Sequence, residues 1–368
     1  MSARLEPLAA ALLLATGVAH AAPPPTPSLP PIPVTPAPAP APAPAPTPAP
    51  APTPAPAPAI QPPVEVTAFD DPYDLPRAPR PPTLPELTHP DVEATLESTF
   101  GVLTPASGVN SGNTVTYVQK IGVEYPVTAR RWFAGATYEF AGGAPLGGGT
   151  SKLVGGNVEL NGRTVWATRT GLAFGFGLGL VLPTATFTRC PGAIGCAVPG
   201  EAGTANRVAD AASTLRPWDL PLFQEGWLTL RPFFDVRDVD GNFAIQFREG
   251  VDMAFDTTQL PTYRLAAVSA VYIGYSLPLV GVGIEAFEYY FLDWPLPDNQ
   301  RALFVISPSV RFMTPYLQPA ISFMTSAGTP FGGETDRFWG LRLGVTAVWD
   351  KDAKALAKDR PVSPMLTP

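Results

Sequence analysis

The sequence predicts an all-β fold: a transmembrane antiparallel β-barrel of about twelve strands, preceded by a long Ala-Pro-rich segment. Three observations carry the prediction. Large apolar residues alternate with polar or small ones, at a period of two, along a dozen stretches between about Ala94 and Trp349. The connections between those stretches are short and long by turns. Beyond the first residues no apolar run approaches the roughly 18 that a membrane helix needs.

The alternation is clearest in Arg337–Trp349. Trp339, Leu341, Leu343, Val345, Ala347 and Trp349 fall on one face of a strand, and Gly340, Arg342, Gly344 and Thr346 on the other. An aromatic near each end of the apolar face suits a strand whose rings sit at two membrane interfaces.

Taken in order, residues 1–22 read as a secretory signal peptide. Arg4 supplies a thin positive start, Leu8 to Val18 a short apolar core, and Ala19-His20-Ala21 a small-x-small cleavage site. Residues 23–90 form a Pro/Ala-rich periplasmic linker, and most of the chain's 49 prolines crowd there. Proline fixes φ and removes the amide donor, so the Ala-Pro run should be a stiff polyproline II rod rising about 3.1 Å per residue. Its alternatives are a disordered spacer or an arm that meets peptidoglycan or a periplasmic protein.

Twelve strands are expected over residues 91–349. The first is weak, through Leu96, Phe100 and Val102. The next three run through Val115–Tyr125, Trp132–Phe140 and about Lys152–Leu160. The fifth carries Trp166 and Leu172–Leu182 opposite Gly171, Gly175, Gly177 and Gly179. Further strands are Trp227–Arg237, the stretch around Phe243–Phe247, Val271–Leu277, Val282–Leu292, Phe304–Phe312, Leu317–Phe323 and the closing Arg337–Trp349. Short turns are placed at Pro126–Arg130, Asn161-Gly162-Arg163, Asp238–Gly241, Leu279-Val280 and Thr314-Pro315. Long loops are placed at Thr104–Asn113, Ala141–Ser151, Pro183–Gly226, Asp252–Thr262, Asp293–Ala302 and Ser326–Asp336. One rim of short turns and one of long loops, with an even strand count, puts both ends on the periplasmic side. Residues 350–368 would be a periplasmic tail.

On these residues the chain resembles bacterial outer-membrane β-barrel proteins. The resemblance covers about Ala94 to Trp349 and is one of class, with no particular member. It implies residence in the outer membrane, contact with its lipid, and recognition by the barrel assembly machinery. Barrels of this class usually end on an aromatic residue, here Trp349, although a charged tail follows it.

If the large apolar residues face lipid, the charges face the lumen. Candidates are Arg131, Glu139, Arg169, Arg231, Asp235, Arg248, Arg264, Glu285, Arg311 and Arg342, with Lys120, Glu124, Glu159 and Arg237 beside them. An Arg or Lys on the lipid face at mid-depth would cost about 2–4 kcal/mol. These groups either pair across the interior as a salt-bridged plug or line a narrow aqueous pore. Because arginines outnumber carboxylates, a pore would favour small polar or anionic solutes. A structural or surface-interaction barrel, tethered by its Pro-rich segment, is the alternative.

Other chemistry finds little to use. Net charge is −7, which argues against a nucleic-acid partner. The two histidines are His20, in the signal, and His89, ahead of the first strand, so a histidine-dependent hydrolase has no base on a strand. The chain is not expected to be an enzyme or to need a metal or cofactor. Asp238-Val239-Asp240-Gly241-Asn242 has part of a calcium-loop pattern, but no glutamate follows at the right spacing, so it reads as a tight turn. Cys190 and Cys196 would close a short disulfide loop outside the cell.

Overall fold

A computed structural model describes residues 83–85, 87, 92–105, 114–128, 132–145, 151–168, 171–186, 201–258, 262–293, 301–314, 316–327 and 335–349. The signal peptide, the Ala-Pro run, Cys190, Cys196, Arg131, Arg169, His89 and the tail lie outside the described residues.

The strands are β1 (Val92–Pro105), β2 (Thr114–Thr128), β3 (Trp132–Pro145), β4 (Lys152–Ala167), β5 (Ala173–Leu182), β6 (Trp227–Asp240), β7 (Phe243–Asp256), β8 (Tyr263–Ser276), β9 (Val280–Phe291), β10 (Ala302–Phe312), β11 (Leu317–Ser326) and β12 (Thr335–Trp349). Each pairs antiparallel with its neighbours in sequence, and β1 pairs with β12 to close a twelve-stranded barrel. Closure leaves no strand edge without a partner, which is what hydrocarbon demands of a backbone. In the closing register Val92 lies opposite Trp349 and Phe100 opposite Leu341.

The outward rows are apolar and exposed: Leu96, Ile121, Leu160, Leu178, Ile273, Ile284, Ile321, Leu341 and Leu343 among them. Exposed aromatics mark both ends. Tyr125, Trp132, Phe243, Tyr275, Phe312 and Trp349 sit toward the short-turn rim, and Tyr117, Phe255, Tyr263 and Trp339 toward the loop rim. Such a surface matches a bilayer and not water. No described helix is long and apolar enough to cross a membrane.

Several boundaries fall elsewhere than the sequence placed them; β2 runs on through residues 126–128 and β3 through residues 141–145, read as turn and loop. Asn161-Gly162-Arg163 is not a turn: β4 continues to Ala167, and Asn161, Gly162 and Arg163 pair with Gly179, Leu178 and Gly177 of β5. The reversal falls at Thr168–Leu172, where Gly171 takes φ 92° and a Cβ would strike the Val239 carbonyl. Asn-Gly is a turn signal only where φ is positive, and Gly162 is not among the positive-φ glycines. Trp166 accordingly lies near the end of β4 and does not begin β5. Asp252 likewise belongs to β7, opposite Ala266, and not to a loop.

The largest departure is the connection after β5. It does not lie wholly outside the barrel. It forms α1 (Glu201–Leu215) and a 3₁₀ turn (Pro217–Phe223) that pack inside. In α1, Val208, Ala211, Ala212 and Leu215 are buried at helical spacing, and Pro217 stops the helix. Every residue of the 3₁₀ turn is buried. Glycines on the wall make room. Leu215 occupies the space that side chains at Gly101 and Gly340 would need, and the Leu222 carbonyl approaches Gly156.

This plug changes the interior. The lumen is not polar throughout, as the sequence suggested. Val268, Ala270, Tyr272, Phe287, Tyr289, Phe291, Leu303 and Val305 line the inner face of β8–β10 and form one apolar cluster with Trp218, Leu220 and Leu222. Trp218 meets the Phe287 ring edge-on at 5.7 Å.

The end of the Pro-rich linker also enters the barrel. Leu84 and Leu87 are buried. Leu87 packs with Phe133, Val165, Ala167 and Ala173, with one methyl 3.1 Å from where a Gly175 side chain would begin. Gln246 donates to the Pro85 carbonyl at 3.1 Å, and the Thr83 hydroxyl donates to Glu285. The space beside the β5 glycines is thus taken by Leu87, by the Phe233 ring against Gly177, and by Glu159 beside Gly179.

Candidate functional site

The inward charges form a belt around the lumen at the level of the 3₁₀ turn. Antiparallel register sets part of it directly, since Glu97, Lys120 and Glu139 are neighbours on β1, β2 and β3. All three point inward because period-two alternation sends their apolar neighbours out.

Arg216 is the hub. It lies between α1 and the 3₁₀ turn and is fully buried. Its Nη1 is 2.6 Å from Glu97 and donates to Thr99 Oγ1 at 3.1 Å. Its Nη2 is 2.7 Å from Asp219 and 3.2 Å from Glu139. Lys120 Nζ reaches Asp219 at 3.1 Å. One planar guanidinium therefore ties the plug to two wall strands, a task suited to its fixed fork of donors. Burial alone would push the Asp219 carboxyl up, but Lys120 and Arg216 outweigh it and hold it well below the usual carboxylate range. Burial also disfavours charge on Arg216, yet Glu139, Glu97 and Asp219 keep it protonated, above the ordinary arginine range.

Around the wall four further arginines form ion pairs, and others rest on polar or aromatic side chains. Arg231 contacts Glu159 at 3.1 Å and Asp252 at 3.0 Å, and it donates to the Trp218 carbonyl. Arg248 grips Asp235, its register partner, through two 2.8 Å bonds and lies over the Phe233 ring. Arg163 pairs with Glu124 and covers the Phe133 ring. Arg342 donates to Ser322 at 2.8 Å, approaches Glu285 at 3.8 Å and Glu97 at 4.0 Å, and lies over Trp218. Arg311 donates to Thr346 at 3.3 Å. Arg264 lies over Trp227 and Arg237 is buried beside Gln246.

Between the plug and the short-turn rim lies a cavity of about 200 Å³. Its lining includes Glu93, Glu97, Glu124, Glu159, Asp219 and Asp252 and, against them, Lys120, Arg163, Arg216, Arg231 and Arg248. Thr83, Leu84 and Pro85 close part of its boundary. No cluster of metal-ligating side chains occurs among the described residues.

The described sequence candidates Glu139, Arg231, Asp235, Arg248, Arg264, Glu285, Arg311 and Arg342 all point inward, though not to one point. Glu139 joins the hub; Asp235 and Arg248 form a separate pair; Arg264 lies apart from both. Sequence reasoning missed Glu97, Asp252, Arg216 and Asp219. Glu97 is legible, since Leu96, Phe100 and Val102 on one face put it on the other. Arg216 and Asp219 lay in a segment read as loop. The available signal was the helical spacing of Val208, Ala212 and Leu215, followed by the apolar, Pro-rich Trp218–Phe223.

No protein-family model and no curated protein matches the chain. Solved structures do. An outer membrane channel from Pseudomonas putida F1 superposes with a TM-score of 0.52 at 11% identity, over 73% of this chain and 99% of that one. The NanC porin gives 0.43 at 10% identity over 69% and 98%, and the KdgM porin, solved with disordered oligogalacturonate, 0.41 at 8% over 70% and 99%. The first likeness establishes the outer-membrane type of β-barrel as the fold.

Proposed function

We propose that this protein is a gated outer-membrane channel for small polar solutes. The short-turn rim faces the periplasm, and the passage is closed by the protein's own plug and N-terminal segment. The observation that carries the reading is the charge-lined cavity between the 3₁₀ turn and the short-turn rim. A barrel built only as a scaffold has no need of a polar chamber beneath a folded-in loop. The fold shared with an outer membrane channel is in keeping with it.

The arginine excess in the sequence pointed to anions. The cavity points to small polar solutes of little charge preference, because each lining cation has a carboxylate partner. At about 200 Å³ the chamber is smaller than the roughly 300–1,000 Å³ of a drug-sized pocket, which favours small solutes. The reading assigns the barrel no catalytic step.

A closed structural barrel is the second reading, favoured by the ion pairs that knit Arg216 to the wall. Planar-bilayer recording separates the two. The full chain should show brief, small openings, and a chain lacking residues 23–90 larger or more frequent ones. Reversal potentials in a salt gradient should stay near zero. Protein that migrates as a heat-modifiable barrel and inserts, but passes no current with or without residues 23–90, would refute the channel.

A further inference from the structure

At mid-strand, two carboxylates break the rule that charges face inward. Glu249 on β7, Ser269 on β8 and Glu288 on β9 stand side by side at one height, since Glu249 is the register partner of Ser269 and Ser269 of Glu288. All three occupy outward rows: their strand neighbours Arg248, Ala270 and Phe287 point inward. Ser269 Oγ lies 2.9 Å from both carboxylate oxygens of Glu249.

Their depth is set by the strands. Phe243 and Phe255 near the ends of β7 lie six residues either side of Glu249, and Tyr263 and Tyr275 of β8 six either side of Ser269. Six residues of tilted strand rise about 14 Å, half of an apolar band about 25–30 Å tall. The trio is therefore at mid-bilayer. No ion pair engages Glu249 or Glu288 among the described residues, whereas the inward carboxylates are paired. In hydrocarbon a polar group needs a hydrogen-bonding partner.

We propose that the outer face of β7–β9 is where two copies of this chain meet, about a two-fold axis in the bilayer. A two-fold contact brings the same patch against itself, so the patch must complement itself. Carboxyl and hydroxyl groups do so, because each can donate and accept; a patch of lysines would repel its copy. The outward residues next to the trio are mixed: Ala267 and Ala286 are small, and Phe247, Val251, Val271 and Tyr290 are large. Ala267 precedes Ser269 on its row and Ala286 precedes Glu288, and these two positions leave hollows beside the polar groups in which the larger side chains of a second barrel can seat. The proposal rests on placement in a bilayer and not on conduction.

Cysteine cross-linking in native membranes tests it. In a C190S/C196S background, Ala267→Cys probes the face with the trio intact, and Leu96→Cys probes an exposed outward site on β1, across the barrel. Mild oxidation should give a band of twice the chain mass from A267C, at least tenfold stronger than from L96C. Adding E249L/E288L should lower the A267C band to the L96C level while heat-modifiable mobility and conductance persist. Equal bands from A267C and L96C, a band indifferent to E249L/E288L, or an adduct containing a different protein would overturn the proposal. E288L alone is run beside E249L/E288L and should also lower the A267C band, so that a misfolded double variant leaves the test standing; an unchanged A267C band in folded E288L would count against the proposal.

Discussion

Replacing Arg216 by Leu removes the one group that binds the plug to β1 and β3 together. The guanidinium is fully buried and contacts three carboxylates, Glu97, Glu139 and Asp219, at 2.6–3.2 Å. Leucine keeps apolar bulk against Trp218, over which Arg216 lies. It also leaves buried carboxylates short of a counter-ion. Lys120 still reaches Asp219, but Glu97 retains only Arg342 at 4.0 Å. Removing one partner of a buried pair typically costs about 3–5 kcal/mol. At about 1.4 kcal/mol per tenfold, the equilibrium between docked and released plug should shift by about two to four powers of ten. The barrel strands are held by their own closed ladder, so the change should appear in the plug and not in closure. Single-channel recording should show longer openings at higher conductance. A cysteine at Ala212, buried at 0% exposure in the folded protein, should become labelled by a water-soluble maleimide in the R216L background. R216K should fall between, because an ammonium keeps the charge but not the fork. If R216L folds as a heat-modifiable barrel, conducts as the parent does, and leaves residue 212 unlabelled, the hub does not hold the plug and the argument fails.

Other expectations follow from the same interior. Leu87→Ala should loosen the N-terminal segment by about 2–4 kcal/mol, since a buried leucine leaves a cavity among Phe133, Val165 and Ala173; limited proteolysis near residue 85 should accelerate while the barrel persists. Gly156→Ala should destabilise the docked plug by about 1–3 kcal/mol, because a Cβ there would sit 2.8 Å from the Leu222 carbonyl and 2.9 Å from that of Glu139; urea-dependent gel mobility reads this. The depressed Asp219 carboxyl gives a pH dependence. Its contribution to docking is complete above the ordinary value of 3.8 and is lost as pH falls below that toward the folded value. The contribution of Asp219 should therefore be constant from pH 8 to 5 and weaken only in stronger acid. Closure that weakens near pH 6 would implicate a different group.

Much of the barrel was legible in local sequence. The outward rows through Leu96, Ile121, Leu178, Ile273 and Leu343 obey one period, and strand geometry alone turns that period into two faces. The inward placement of Arg231, Asp235, Arg248 and Arg342 follows from the same alternation. Turn chemistry was less legible. Asn161-Gly162 looks like a reversal, but only the φ of Gly171, fixed by its neighbours, makes one. The site was harder still. Arg216 is one charge in an irregular segment, and nothing local distinguishes a solvated loop from one folded into a lumen.

The sequence by itself determined the class: membrane-facing strands, their rough number, the alternation of short and long connections, and the side on which most charges fall. These are nearest-neighbour properties, set by the two-residue repeat and the cost of charge in hydrocarbon. Tertiary structure decided what fills the barrel. The run Glu285–Tyr290 shows the division. Alternation allows two faces, one with Glu285, Phe287 and Tyr289, the other with Ala286, Glu288 and Tyr290. Taken alone, each face carries an acid and an aromatic, but Val282 and Ile284 before the run already set Glu285 inward. Packing gives that inward face its partners: Phe287 and Tyr289 share one apolar cluster with Trp218, Leu220 and Leu222 of the plug, while Glu288 faces the bilayer.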